Sequence, residues 1–292
     1  MVLMVKTNLI DIEKIKSTKS TADLLKFSII NIDKPSGPTS FQVSQFVKNI
    51  LNLSKTSHAG TLDPMVSGVL PVMLSRACRL SDYLMHRDKK YVGIMRLHKD
   101  ITDKELKNII KKFIGKITQL PPVRSRVKRA ERIREVKTFN VLEREGNDVL
   151  FETQVQAGTY IRKICDDMGK EIGGTHMLEL RRTEAGIFKE PSVNLYDIDH
   201  AVNEYKNGNE KPLRNMLIPG EIVSQVLPVV FIKKECIKKL YTGSPIFSDF
   251  LLIPQSLKKD EKIAVFSGDI FVGCYRVVNE GSIVAVPEFV LN

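Results

Sequence analysis

The chain has 292 residues, a net charge of +11, 42% hydrophobic residues and no tryptophan. This is enough apolar content for one large core and a smaller one, which excludes the disordered and fibrous classes. The basic excess suits a polyanionic partner, because phosphate attraction gives sequence-independent affinity, and it is equally compatible with a basic protein that meets none.

Residues 1–26 are polar and lysine-rich and read as an extension. Phe27 to Ile32 is a short apolar run that ends in the turn cluster Asp33-Lys34-Pro35-Ser36-Gly37-Pro38. Thr39 followed by Gln42 is a capping-box pattern, predicting a helix with Val43, Phe46, Val47 and Ile50 on one face. Tyr91 to Leu97 reads as a strand. Thr102 with Glu105 opens a second helix through Leu106, Ile109, Ile110 and Phe113, stopped by Gly115. The basic segment Arg124 to Val141 and the run Val149 to Val155 are further strand candidates. A third helix carries Ile161, Ile164, Cys165, Met168 and Ile172, ending at Gly173-Gly174.

Strands and helices mix without regular alternation, so the fold class expected is α+β with a mixed sheet. The polar segment 207–226 is the expected linker, which makes 27–206 one domain. Beyond it come short β runs: Val229 to Ile232, Ile263 to Phe266, Ile270 to Val278 and Ile283 to Val286. Ser267-Gly268-Asp269 forms a hairpin turn, and Lys233 to Tyr241 reads as a short helix. Residues 227–292 thus read as a small β-barrel module.

The four cysteines, Cys78, Cys165, Cys236 and Cys274, form no C-x-x-C pair. No zinc pattern or disulfide framework is expected, and reduced thiols fit a cytoplasmic protein. Met1 to Val5 is too short for a signal h-region, and no run of roughly 18 apolar residues predicts a membrane span. Neither a dinucleotide loop nor a Walker loop is present.

Asp63 lies in His58-Ala59-Gly60-Thr61-Leu62-Asp63-Pro64. Gly60 permits unusual backbone angles, and Pro64 biases Asp63 towards extended geometry. A carboxylate shown on a rigid turn suits a nucleophile or a general base. From spacing alone a structural Asp that caps the next turn remains the alternative.

The stretch 58–64, followed by Ser67-Gly68-Val69-Leu70-Pro71-Val72, resembles the signature of the TruB/dyskerin pseudouridine synthases. Asp33-Lys34-Pro35 with Gly37-Pro38-Thr39-Ser40 resembles their first motif, and Gly158-Thr159-Tyr160-Ile161-Arg162 through Gly169 their third. His176 to Thr183 resembles the segment that follows. The motifs occur in the family's order from about Asn31 to Glu190. Lys90 to Asp100 and Pro121 to Arg129 resemble the archaeal dyskerin branch, whose terminal module is an RNA-binding PUA domain.

The resemblance implies that Asp63 attacks the target uridine at the sugar C1′ or at the base. The glycosidic bond then breaks, and the uracil rotates and is rejoined through carbon, with no metal or organic cofactor needed. Tyr91 would stack on the everted base and take part in proton abstraction; otherwise it is an aromatic core residue. Arg162 would pair with Asp63; otherwise it is a solvated helix charge. Leu180 would pack in the uridine pocket or in the ordinary core, His58 would lie near the everted nucleotides, and Lys34 would support the Asp63 loop. Arg124, Arg126, Lys128 and Arg129, with Arg132 and Arg134, would meet RNA phosphates or form a solvated charged face.

It further implies a box H/ACA guide particle acting on ribosomal RNA and the tRNA T-loop uridine. In that setting guide RNA and small partner proteins are the partners. A stand-alone tRNA synthase is one alternative and a catalytically idle ribosome-assembly scaffold another. The trio Asp63, Tyr91 and Arg162 argues against the scaffold.

Overall fold

The computed structural model describes residues 10–121 and 129–292. The chain divides into two compact units. One comprises Ile30–Val72 and Leu84–Met216; the other comprises Met1–Ile29, Met73–Tyr83 and Leu217–Asn292.

The described part of the N-terminal extension carries two short helices. Asp11 caps the helix α1 (Ile12–Thr18) and Ser20 caps α2 (Thr21–Lys26), each accepting a backbone N–H of the first turn. Each helix buries one aliphatic residue, Ile15 and Leu24. Helices this short show no sustained hydrophobic period, so their order comes from packing within their unit. Phe27, just beyond, stacks on Phe271 at 5.5 Å between ring centroids, and Lys14 pairs with Asp269 at 2.6 Å.

Strand β1 (Ser28–Lys34) leads to α3 (Ser40–Ile50). The capping box is reciprocal: Gln42 N donates to Thr39 Oγ1 at 3.1 Å and Thr39 N to Gln42 Oε1 at 2.8 Å. Val43 and Val47 are buried, whereas Phe46, expected beside them, is 38% exposed. Then come β2 (Thr56–His58), β3 (Ser67–Leu74), α4 (Ser81–Met85) and β4 (Lys89–Leu97). Helix α5 (Asp103–Lys112) carries the second capping box, with Glu105 N donating to Thr102 Oγ1 and Thr102 N to Glu105 Oε2.

The sheet continues with β5 (Gly115–Gln119), β6 (Arg132–Glu145) and β7 (Asp148–Val155). Among the described residues of the basic segment the strand starts at Arg132; residues 122–128 are outside the described ones. Helix α6 (Ile161–Ile172) ends at Gly173 in the left-handed region, φ 87°, which glycine adopts without strain. It buries Ile161, Ile164, Cys165 and Met168, and each aliphatic residue so buried contributes about 1.5–3 kcal/mol.

After it follow β8 (Thr175–Ala185), β9 (Phe188–Lys189), α7 (Leu195–Lys206) and α8 (Lys211–Met216). In this unit the strand order is β1-β3-β8-β4-β7-β6-β5, with β2 on β3 and β9 on β8. The β3–β8 pair is parallel, while β8–β4, β4–β7, β7–β6 and β6–β5 are antiparallel. Along β4 the odd residues Lys89, Tyr91, Gly93, Met95 and Leu97 are buried, so one sheet face is core.

The segment 207–226 is ordered too. It holds α8, β10 (Ile218–Pro219) and a 3₁₀ turn, with Leu213, Leu217 and Val223 buried. The second unit then forms β11 (Val229–Phe231), α9 (Ile237–Tyr241), β12 (Ile246–Phe247), β13 (Lys262–Ser267), β14 (Ile270–Glu280) and β15 (Ile283–Val290). The expected helix from Lys233 is a 3₁₀ turn over Lys234–Cys236 followed by α9. Strand order is β11-β13-β14-β15-β12 around a core that includes Val230, Ile263, Val265, Val272 and Tyr275. The molecule is thus α+β, with a large mixed sheet and a separate five-stranded one.

Candidate active site

Asp63 sits on the loop between β2 and β3, and that loop is held from several sides. Ala59, Leu62 and Val66 are buried and anchor it. Ser40, in the first turn of α3, accepts from Leu62 N at 2.8 Å and donates to Leu62 O at 3.0 Å. Val66 N closes a turn on Asp63 O at 3.0 Å, and Gly37 N donates to Pro64 O at 2.9 Å. Gly60 adopts φ +89°, as its position before the carboxylate suggests.

Lys34, at the end of β1, is fully buried beneath this loop. Its ammonium donates to Pro35 O (2.8 Å), Pro64 O (3.0 Å) and Val66 O (2.8 Å). Burial pushes its pKa down to about 8; the negative charge of Asp63 opposes that shift and the Arg182 guanidinium adds to it. Lys34 thus ties the end of β1 to the backbone on both sides of Met65.

Arg162 lies in the first turn of α6, and its Nη2 is 3.1 Å from Asp63 Oδ2. The helix start that presents it is fixed by buried Gln119, which accepts from Tyr160 N at 3.0 Å and donates to Tyr160 O at 3.1 Å. Both members of the pair stay open, with side chains 43% (Arg162) and 40% (Asp63) exposed. A carboxylate and a guanidinium so placed can meet an incoming ligand without local unfolding.

Tyr91 on β4 is 8% exposed and stands opposite Thr153 of β7 and Arg182 of β8. Leu180, 7% exposed, stands opposite Gly93. A Cβ at Gly93 would lie 2.8 Å from Leu180 Cδ1, so the missing side chain is where Leu180 packs. Cross-strand partners share a face, so Tyr91, Leu180 and Arg182 project from the same side of the sheet. His58 ends β2; burial, then the nearby Arg182 charge, lowers its pKa, and its Nδ1 is buried without a hydrogen-bond partner among the described residues.

Of the basic candidates, Arg124, Arg126 and Lys128 lie outside the described residues. Arg129 is exposed, while Arg134 is half-buried and donates from Nε to Gly158 O at 3.2 Å. Among the described residues no group of three or more His, Cys, Asp or Glu side chains could hold a metal ion.

Three contributors were given no role in the sequence reading: Ser40, Gln119 and Arg182. The signal for Arg182 was available, because strand alternation puts it on the face of Leu180.

The model of the TruB family pseudouridylate synthase N-terminal domain matches residues 48–161, and that of the tRNA pseudouridylate synthase B C-terminal domain matches 162–224. The chain belongs to the TruB family. It is an RNA pseudouridine synthase, an isomerase. Among TruB relatives it is 39% identical over 251 residues to the "Probable tRNA pseudouridine synthase B" of Archaeoglobus fulgidus, covering 84% of this chain and 77% of that one. It is 42% identical over 228 residues to the protein of the same name from Methanocaldococcus jannaschii, covering 77% and 68%.

Among solved structures, a chain in a Cbf5-Nop10-Gar1 complex superposes with a TM-score of 0.87 at 37% identity, covering 94% of this chain and 88% of that one. A chain of an H/ACA ribonucleoprotein bound to a substrate RNA containing 2′-deoxyuridine gives 0.86 at 35% identity, covering 95% and 89%. The TruB match spans the Asp63 loop, β4 with Tyr91 and the start of α6.

Proposed function

We propose that this enzyme isomerises uridine to pseudouridine as the catalytic subunit of a box H/ACA guide ribonucleoprotein. The observation that carries this reading is its likeness, along more than nine-tenths of its length, to chains solved in H/ACA assemblies, one with substrate RNA. Guide RNA and small proteins akin to Nop10 and Gar1 are the partners this implies, and ribosomal RNA is the main substrate. We place the enzyme in the cytoplasm, where thiols such as those of Cys165, Cys236 and Cys274 stay reduced.

In this mechanism the target base leaves the stack to reach the site. Asp63 forms a bond to the uridine at C1′ or at the base, and the N-glycosidic bond breaks. The uracil turns and its C5 bonds to C1′ as the bond to Asp63 is released; the C5 proton is lost and N1 takes up a proton, so the product is an isomer of the substrate. Arg162 orients the carboxylate through a charge-assisted contact. Tyr91 stacks on the base and stands ready for the C5 proton, Leu180 packs against the ring, and His58 lies beside the everted nucleotide. Lys34 keeps the loop in place, and Arg129 with its basic neighbours meets phosphates. Residues 227–292 act as a PUA-like module that grips the guide's terminal ACA element.

The names of the curated relatives favour tRNA as a second substrate; the target proposed there is the T-loop uridine, modified without a guide. The deciding experiment measures pseudouridine in a tRNA and in a ribosomal RNA target, with and without guide RNA and partner proteins. Ribosomal product that requires the guide supports the first reading. Efficient product on tRNA alone with none on the guided target would leave only the stand-alone enzyme.

A further inference from the structure

Arg182 is the largest side chain buried to below 2% exposure among the described residues. It sits within the catalytic unit and, among the described residues, donates to no carboxylate; Nε donates to Val69 O at 2.8 Å and Nη2 to Gly60 O at 3.0 Å. A buried guanidinium compensated only by carbonyl dipoles is costly, and an apolar side chain of that size would fill the space at less cost. Its presence at that cost points to what it holds.

The two carbonyls belong to opposite ends of the Asp63 loop. Gly60 precedes the carboxylate and Val69 follows it in β3, so one planar fork ties both limbs together. The backbone joins in: Gly68 pairs with Arg182 in the parallel β3–β8 ladder, and a Cβ on Gly68 would lie 2.2 Å from Arg182 O. On its other side Arg182 pairs with Tyr91 in the antiparallel β8–β4 ladder. A single residue thus touches the frame of the Asp63 loop and neighbours the strand of Tyr91. Lys89, two residues before Tyr91, is drawn into the same cluster: its Cε and Arg182 Nη1 both approach the position a Cβ of Gly60 would take, at 3.5 and 3.4 Å.

We infer that Arg182 is a positioning residue that sets the place of the Asp63 carboxylate relative to Tyr91 without itself touching RNA. The inference rests on the roles given above to Asp63 and Tyr91. It separates from mere core packing because it predicts a loss in the chemical step with binding retained.

The test uses the full chain with Arg182→Met, which removes fork and charge, and Arg182→Lys, which keeps the charge and one donor. Single-turnover pseudouridine formation should fall about 100-fold in Arg182→Met, the scale of an ångström-level misplacement, with RNA Kd within about twofold of wild type. Arg182→Lys should recover part of that loss. Amide hydrogen exchange should speed up at residues 60–69 in Arg182→Met.

A wild-type rate from folded Arg182→Met, or a loss confined to Kd, would overturn the inference. If Arg182→Met does not fold, Arg182→Lys decides. A rate at least about tenfold below wild type at unchanged Kd supports the positioning role, and a wild-type rate rejects it. If the wild-type enzyme forms no pseudouridine on any RNA tested, the functional reading fails instead. Exchange at residues 60–69 then still judges the clamp: faster exchange supports it and unchanged exchange rejects it.

Discussion

Asp63 Oδ2 and Arg162 Nη2 meet at 3.1 Å, from a loop and a helix far apart in the chain, and both side chains remain about two-fifths exposed. An ion pair that open adds little to stability, on the order of 0–1 kcal/mol, so stability does not account for it. Asp63→Asn keeps shape and packing while removing the nucleophile. We expect it to abolish pseudouridine formation with RNA Kd within about twofold and an unchanged melting temperature. Product at the wild-type rate would remove Asp63 from the mechanism.

Arg162→Lys keeps the charge but loses the planar fork. The expected result is a single-turnover rate lower by roughly 10- to 100-fold, with stability within about 0.5 kcal/mol of wild type. Thermal melts run beside the rate measurement separate the two effects. A full rate would mean that charge alone suffices at this position.

Burial lowers the pKa of Lys34 to about 8, against the opposing pull of Asp63. An unfolded lysine stays protonated up to its ordinary value of 10.5. Between these values the unfolded chain binds more protons, so the group's contribution to stability rises with pH through that window and is lost as pH falls through about 8. Unfolding by urea at pH about 7 and about 9.5 should show wild type gaining stability relative to Lys34→Met at the higher pH. Lys89, whose pKa burial also pushes down to about 8, is present in both proteins and cancels in the comparison. A constant difference would mean that Lys34 does not titrate in this range.

Two glycines near the site should respond differently to alanine. At Gly68 a Cβ would lie 2.2 Å from Arg182 O and 2.9 Å from Arg182 N, both backbone atoms of a paired strand, and φ is +99°. The strands must part, so Gly68→Ala should cost about 3 kcal/mol or more. At Gly60 the nearest atoms are side-chain atoms at 3.4 and 3.5 Å, and the strain of φ +89° is the main burden, about 1–2 kcal/mol. Denaturant melts rank the two, and the reverse order would refute the β3–β8 register.

Neutralising Arg124, Arg126 and Lys128 together should weaken RNA binding and flatten its salt dependence, by about one unit of slope for each phosphate left without its cation. The same applies singly to Arg129, which is exposed. Binding measured across a salt series decides, and an unchanged slope would show that these side chains face away from RNA.

Local chemistry was legible from the sequence alone. Thr39 with Gln42 and Thr102 with Glu105 set two helix starts, Gly173 sets a helix end, and Ser267-Gly268-Asp269 sets a hairpin, because each depends on interactions within a few residues. The ordered motifs around Asp63, Tyr91 and Arg162 identified the family for the same reason: they are written in consecutive residues. The helices in residues 10–26 were missed because they are too short to show a period, and Phe46 was misplaced because a helix does not reveal which flank its neighbours will cover. What only the tertiary structure decided is how the rigid turn at Asp63 is made rigid. Lys34 and Arg182 donate to its carbonyls from β1 and β8, and Arg162 reaches its carboxylate from α6. Such interactions join residues distant in the chain, and their distances are set by strand register and helix placement, which no local pattern encodes.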